Sequence, residues 1–149
     1  MLTRMQNEQP EDMAVRLFTE GKMSCSESVL AAMAAHWRVE SPLIPRIATP
    51  FRGGLCGTQG LCGVVSGGLM AIGLRLGRED GNQSAQLCVD TGKAFMQAIQ
   101  KEGALDCKTY TGLDFSVAEQ HDLFQKQVRA EVCTALLVQC CRWLKENVQ

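Results

Sequence analysis

The stretch from Leu61 to Leu74 constrains this chain most. Its 14 residues carry no charge and include four glycines, Gly63, Gly67, Gly68 and Gly73, before Arg75 ends the run. A membrane-spanning helix needs about 20 apolar residues, so this segment predicts a buried core helix and not a membrane span. Gly63, Gly67 and Ala71 fall four apart, which leaves a smooth stripe along which a second helix can lie close. A glycine inside a helix otherwise costs about 1 kcal/mol. Ahead of this helix, Pro42, Pro45 and Pro50 break the helical pattern, and Arg52 to Gly60 (RGGLCGTQG) reads as an irregular glycine-rich loop.

The flanking segments predict further helices. Pro10 opens the first, with Met13, Leu17 and Phe18 on one face and Gly21 as the stop. Ser24 and Glu27 form a capping box for a second, which carries Val29, Leu30, Met33 and Trp37 and puts Cys25 in its first turn. After the apolar helix, Asn82 or Ser84 caps a fourth with Leu87, Thr91, Phe95 and Ile99 in register. Cys107 then falls in a connection. The last helix starts at a second capping box, Ser116 and Glu119, and carries Cys133, Leu137, Cys140 and Leu144 in one stripe, with Cys141 off it at an edge or exposed. The expected fold is an all-α, single-domain bundle of about five helices over residues 1–149, with a glycine-rich loop before the third helix and a flexible tail at 1–9.

Composition agrees with that fold and narrows the function. The chain is 46% hydrophobic but only 5% aromatic, which favours small-residue helix packing. Fifteen basic and 16 acidic residues give a formal charge of −1, scattered without a basic patch, which argues against nucleic acid or a membrane surface as partner. The N-terminal MLTRMQNEQPEDM contains no apolar signal core, so the expected location is the cytoplasm.

Eight cysteines in a cytoplasmic chain point to metal binding or thiol redox chemistry before a disulfide framework. A thiol at a helix start meets the positive end of the macrodipole and free N–H groups, which favours the thiolate. Cys25 and Cys62 hold such positions, and the glycines around Cys62 (Gly57, Gly60 and Gly63) are candidates for a backbone nest supporting a cluster or anion. Against this stands the plainer reading of cysteine as a small core residue, which suits Cys140 and Cys88 better. Cys56, in the loop, is a secondary candidate as spare ligand or resolving thiol. The spacings of Cys25, Cys62, Cys107 and Cys133 are 37, 45 and 26 positions, unlike the close pairs of common zinc and ferredoxin sites. No C-x-x-C-H occurs, which excludes the usual c-type haem attachment. His36 and His121 are lone histidines without a partner at i+4 and receive no role.

Cys25 before S-E-S-V, Cys62 to Gly67 (CGVVSG) leading into GLMAIGL, Cys107 before K-T-Y-T-G, and Cys133 in the last helix together resemble the C_GCAxxG_C_C family. The resemblance runs over almost the whole chain. Val64 stands where the family's core motif usually has alanine, a departure of two methyl groups. The resemblance implies a redox role, inferred for the family from its cysteines and from genetic neighbourhoods of oxidoreductases and transporters, with no established reaction. It extends to the cluster-bearing domain of split-Soret cytochromes and so implies Cys25, Cys62, Cys107 and Cys133 as ligands of an iron–sulfur centre. Zinc is the weaker alternative.

Three functions follow as alternatives: an electron-transfer protein holding an iron–sulfur or related metal centre and meeting a redox partner protein; a cofactor-free thiol/disulfide protein or sensor in which Cys62 or Cys25 attacks; and a non-catalytic scaffold with structural cysteines or zinc. No catalytic residue is assigned. The glycine stripe offers a surface for a homodimer, unless the monomer itself consumes it. The spatial expectation is that Cys25, Cys62 and Cys107 converge at one end of the bundle while Cys133 approaches from the last helix.

Overall fold

The computed structural model describes residues 7–149. Among these there are seven α-helices and no strand: α1 (Pro10–Thr19), α2 (Cys25–His36), α3 (Gly63–Leu76), α4 (Gln86–Ile99), α5 (Cys107–Thr111), α6 (Ala118–Leu123) and α7 (Thr134–Asn147). A 3₁₀ turn spans Arg46–Phe51, and a π-helical segment, Phe124–Cys133, joins α6 to α7. The fold is therefore all-α, with seven helices where the hydrophobic pattern predicted about five. The two extra ones have physical reasons: α5 is too short to show a period, and a wide π segment divides the last helix.

Local signals explain most of the elements. At the start of α2 the Ser24 N–H donates to Glu27 Oε2 at 2.8 Å and the Glu27 N–H to Ser24 Oγ at 3.4 Å, the reciprocal box read from the sequence. The second expected box is absent. Val117 precedes α6 without a side-chain cap, and the Ser116 hydroxyl instead donates to Asp114 Oδ1 at 2.6 Å, closing a local turn. Cys107 does not lie in a plain connection; it opens α5, whose cap is Asp106 accepting from the Thr109 N–H at 2.8 Å.

The glycine stripe sets the central packing. A Cβ on Gly67 would lie 2.7 Å from the Ser26 carbonyl oxygen, so the α2 backbone runs directly over α3. The stripe is thus covered within the chain by α2. Around this pair α7 packs on α1, α2, α3 and α4. Leu137, Cys140, Cys141 and Leu144 are all fully buried, because α7 has neighbours on more than one side. The expected edge or exposed position of Cys141 is therefore corrected. Helix α4 is peripheral: Phe95 and Ile99 are buried, but Leu87, expected in the same stripe, is 66% exposed. No helix among the described residues is long and apolar enough to cross a membrane.

The chain leading into α3 differs from the simple glycine-rich loop of the sequence reading. It begins with the 3₁₀ turn and continues through residues of positive φ that include Leu55, Cys56 and Gln59 as well as Gly53, Gly54 and Gly57. Of the expected tail, residues 1–6 lie outside the described part. Glu8 pairs with Arg16 at 2.7 Å, and Gln9 accepts from Lys145 Nζ at 3.1 Å.

Candidate functional site

Cys25, Cys62, Cys107 and Cys133 line one cavity of about 730 Å³. Each comes from a different element. Cys25 is the first residue of α2, Cys62 the residue before α3, Cys107 the first of α5 and Cys133 the last of the π segment. Three of the four thus sit where a helix begins.

Backbone bonds explain the convergence. The Cys62 N–H donates to the Leu105 carbonyl at 2.8 Å and the Cys107 N–H to the Gly60 carbonyl at 2.9 Å, a short antiparallel bridge that sets Cys62 and Cys107 beside each other. The close α2–α3 contact brings in Cys25, since a Cβ on Gly63 would meet its sulfur at 2.7 Å. The π segment contributes Phe124, Gln125, Arg129, Val132 and Cys133 to the wall. Gln125, Arg129 and Cys133 follow one another at intervals of four residues and so share the face of the segment turned to the cavity.

The helix-start positions do not produce acidic thiols. Burial pushes all four up from the ordinary 9.0, Cys107 to about 11 and Cys133 to about 12, with Cys25 and Cys62 also raised. The negative charge that Cys25 would carry raises the other three further. Opposing contributions come from backbone N–H groups: Ser26 and Gly53 toward Cys25, Val64 and Val65 toward Cys62. The Gln59 side chain does the same for Cys107, and the Arg129 charge for Cys25 and Cys133. Desolvation outweighs these bonds, so the expectation of a low-pKa Cys25 or Cys62 from the macrodipole is corrected.

Two of the loop's N–H groups are engaged within the loop. The Gly57 N–H donates to the Arg52 carbonyl at 3.0 Å and the Gly60 N–H to the Gly54 carbonyl at 2.7 Å, so both close turns of the loop itself. Gly63 acts through the space it leaves for Cys25. Cys56 is exposed at the rim of the same cavity, its thiol donating to the Pro50 carbonyl at 3.2 Å. Cys140 and Cys88 lie away from the cavity lining, and His36 ends α2.

Several site residues escaped the sequence reading. Gln59 supports Cys107 while its amide also donates to the Leu113 carbonyl and accepts from the Phe115 N–H, both at 2.8 Å. Arg129 lies 3.8 Å over the Phe18 ring and donates to the Phe18 carbonyl at 3.0 Å. His121 and Phe115 line the wall as well. None carries a motif; only the topology brings them together.

Four soft sulfur donors around a space suit a thiolate-held metal centre in kind. Among the described residues, however, no three Cys, His, Asp or Glu side chains are gathered tightly enough to hold one metal ion. A tetrahedral zinc site with bonds of about 2.3 Å needs sulfurs roughly 3.8 Å apart. Cys25, Cys62, Cys107 and Cys133 are the thiols that would hold a metal centre.

Fold and cavity together define an all-α protein with a four-cysteine site. The family model described as "Putative redox-active protein (C_GCAxxG_C_C)" matches residues 23–147, and the chain belongs to that family. Neither the curated proteins nor the solved structures contain a significant match to it.

Proposed function

We propose that this is a redox protein whose Cys25, Cys62, Cys107 and Cys133 hold an iron–sulfur or related polynuclear centre for electron transfer with a partner protein in the cytoplasm. The observation that carries the reading is that these four cysteines, far apart in sequence, line one cavity. When bound, such a centre would supply one-electron transfer. The chain's own groups have separable tasks. Gly53, Ser26, Val64 and Val65 direct N–H groups at two of the sulfurs, and the Gln59 amide faces a third. Hydrogen bonds of this kind stabilise thiolates and adjust reduction potential. Burial excludes water, and Arg129 offsets negative charge next to Cys25 and Cys133. Raised thiols are weak free nucleophiles at neutral pH, and binding of a metal centre would release their protons.

A cofactor-free thiol reading has one observation in its favour, the exposed Cys56 at the same cavity. Iron, zinc and acid-labile sulfide measured on anaerobically purified protein separate the two. Iron and sulfide together support the proposal; folded protein without iron, zinc or sulfide supports thiol chemistry.

A further inference from the structure

The cavity has a second chemical character that four cysteines do not require. Cys62 and Cys107 are nearly buried, at 6% and 8% exposure, and mark its deep end, while exposed Lys22 and Arg52 mark its mouth and half-buried Arg129 stands between. Among the described residues no Asp or Glu lines it, and Lys22, Arg52 and Arg129 have no carboxylate within salt-bridge distance. Arg129 is already oriented. The Phe18 ring and carbonyl fix one side of its guanidinium, which leaves further N–H donors for a ligand. Phe115 and Phe124, with ring centroids 4.5 Å apart, provide an apolar wall. A volume of about 730 Å³ lies within the span of small-molecule sites, roughly 300–1,000 Å³.

We propose that the outer part of this cavity binds a small organic carboxylate, with Arg129 as the oriented anchor, Lys22 and Arg52 as further cations and the Phe115–Phe124 pair against its apolar body. Concavity and the aromatic wall favour a small molecule over the acidic face of a protein, which would meet only the rim. Calling this ligand the substrate rests on the redox reading above; its binding does not require an occupied thiol centre, since the three cations and the two rings belong to the chain itself, and Arg129, which also faces Cys25 and Cys133, is the one group the two readings share.

The test uses the anaerobically purified full chain and the same protein after chelator treatment, with benzoate, benzamide and inorganic phosphate as probes in titration calorimetry. Benzoate is expected to bind both samples and to exceed benzamide by roughly tenfold or more, through the charge-assisted contact that benzamide lacks, and to exceed phosphate by a similar factor, through the ring that phosphate cannot place against Phe115 and Phe124. Arg129→Gln should weaken benzoate by a similar factor, with partial recovery in Arg129→Lys. Because Arg129 also contacts Phe18, the exposed pair Lys22→Gln/Arg52→Gln serves as a second variant, expected to weaken benzoate several-fold with an unchanged circular dichroism spectrum. The proposal is overturned if benzoate does not bind, if benzamide or phosphate binds as well, or if folded variants keep wild-type affinity. Metal analysis of the two samples reports separately on the thiol centre, so loss of one reading is distinguishable from loss of the other.

Discussion

The sulfur of Cys25 lies 2.7 Å from the point where a Cβ on Gly63 would sit. Real Cβ atoms do not tolerate that distance, and the Phe51 carbonyl oxygen and the Ser26 nitrogen would stand at 3.3 Å, so a side chain at residue 63 would displace the Cys25 sulfur from its present position. Gly63→Ala is expected to destabilise the protein by about 1–3 kcal/mol through overpacking. Gly73→Ala, in the same helix with nothing within 4 Å, should stabilise by roughly 0.5–1 kcal/mol through helix propensity. Urea midpoints of the two variants check the contrast.

Gln59 joins the loop before α3 to the segment before α6 by two hydrogen bonds and supports Cys107 as well. Gln59→Leu leaves the Leu113 carbonyl and the Phe115 N–H without their partner. A loss of about 1–3 kcal/mol is expected, together with faster amide exchange at Phe115, measured by hydrogen exchange.

Glu11 is buried yet ionised, held by Lys145 at 2.9 Å and Arg142 at 3.3 Å on α7. Burial alone would raise its pKa; bonds from Lys145, its own backbone N–H and Arg142 outweigh that, and the net direction is downward from 4.5. A depressed carboxyl contributes stability above its unfolded value and loses it as pH falls through the folded one. Stability should therefore fall below about pH 4.5. In Glu11→Gln the fall should be shallower and the neutral stability lower by about 1–3 kcal/mol, as read from unfolding curves between pH 3 and 7.

The four site thiols behave in the opposite sense. Their folded pKa values lie above the ordinary 9.0, at about 11 for Cys107 and about 12 for Cys133. Their contribution is complete below pH 9 and is lost as pH rises toward 11–12. In cofactor-free protein, stability should decline over that range, and less so in Cys107→Ser. At pH 7, iodoacetamide should modify exposed Cys56 before any of the four, which peptide mass analysis resolves.

Much of this was legible in the chain, for identifiable reasons. Capping by Ser24 and Glu27, the glycine stripe and the apolar face of α7 are local patterns, and each predicted a real element. The four cysteines were recognisable through family resemblance and not through spacing, because their approach depends on the Cys62–Leu105 and Cys107–Gly60 bonds between distant segments. The Ser116 box failed because Asp114, two residues earlier, competes for the same hydroxyl. The π segment has no sequence signature, yet it is what presents Arg129 and Cys133 to the cavity. Thiol acidity was misread because the macrodipole is visible in sequence and desolvation is not.

The most direct test of the central claim is iron and acid-labile sulfide content of anaerobically purified protein, compared across single Cys→Ser variants. The account predicts iron and sulfide in constant ratio in the wild-type chain, retained in Cys88→Ser and lost or sharply reduced in the Cys25, Cys62, Cys107 and Cys133 variants. Folded wild-type protein without iron and sulfide, or a content that survives replacement of those four cysteines, would contradict it.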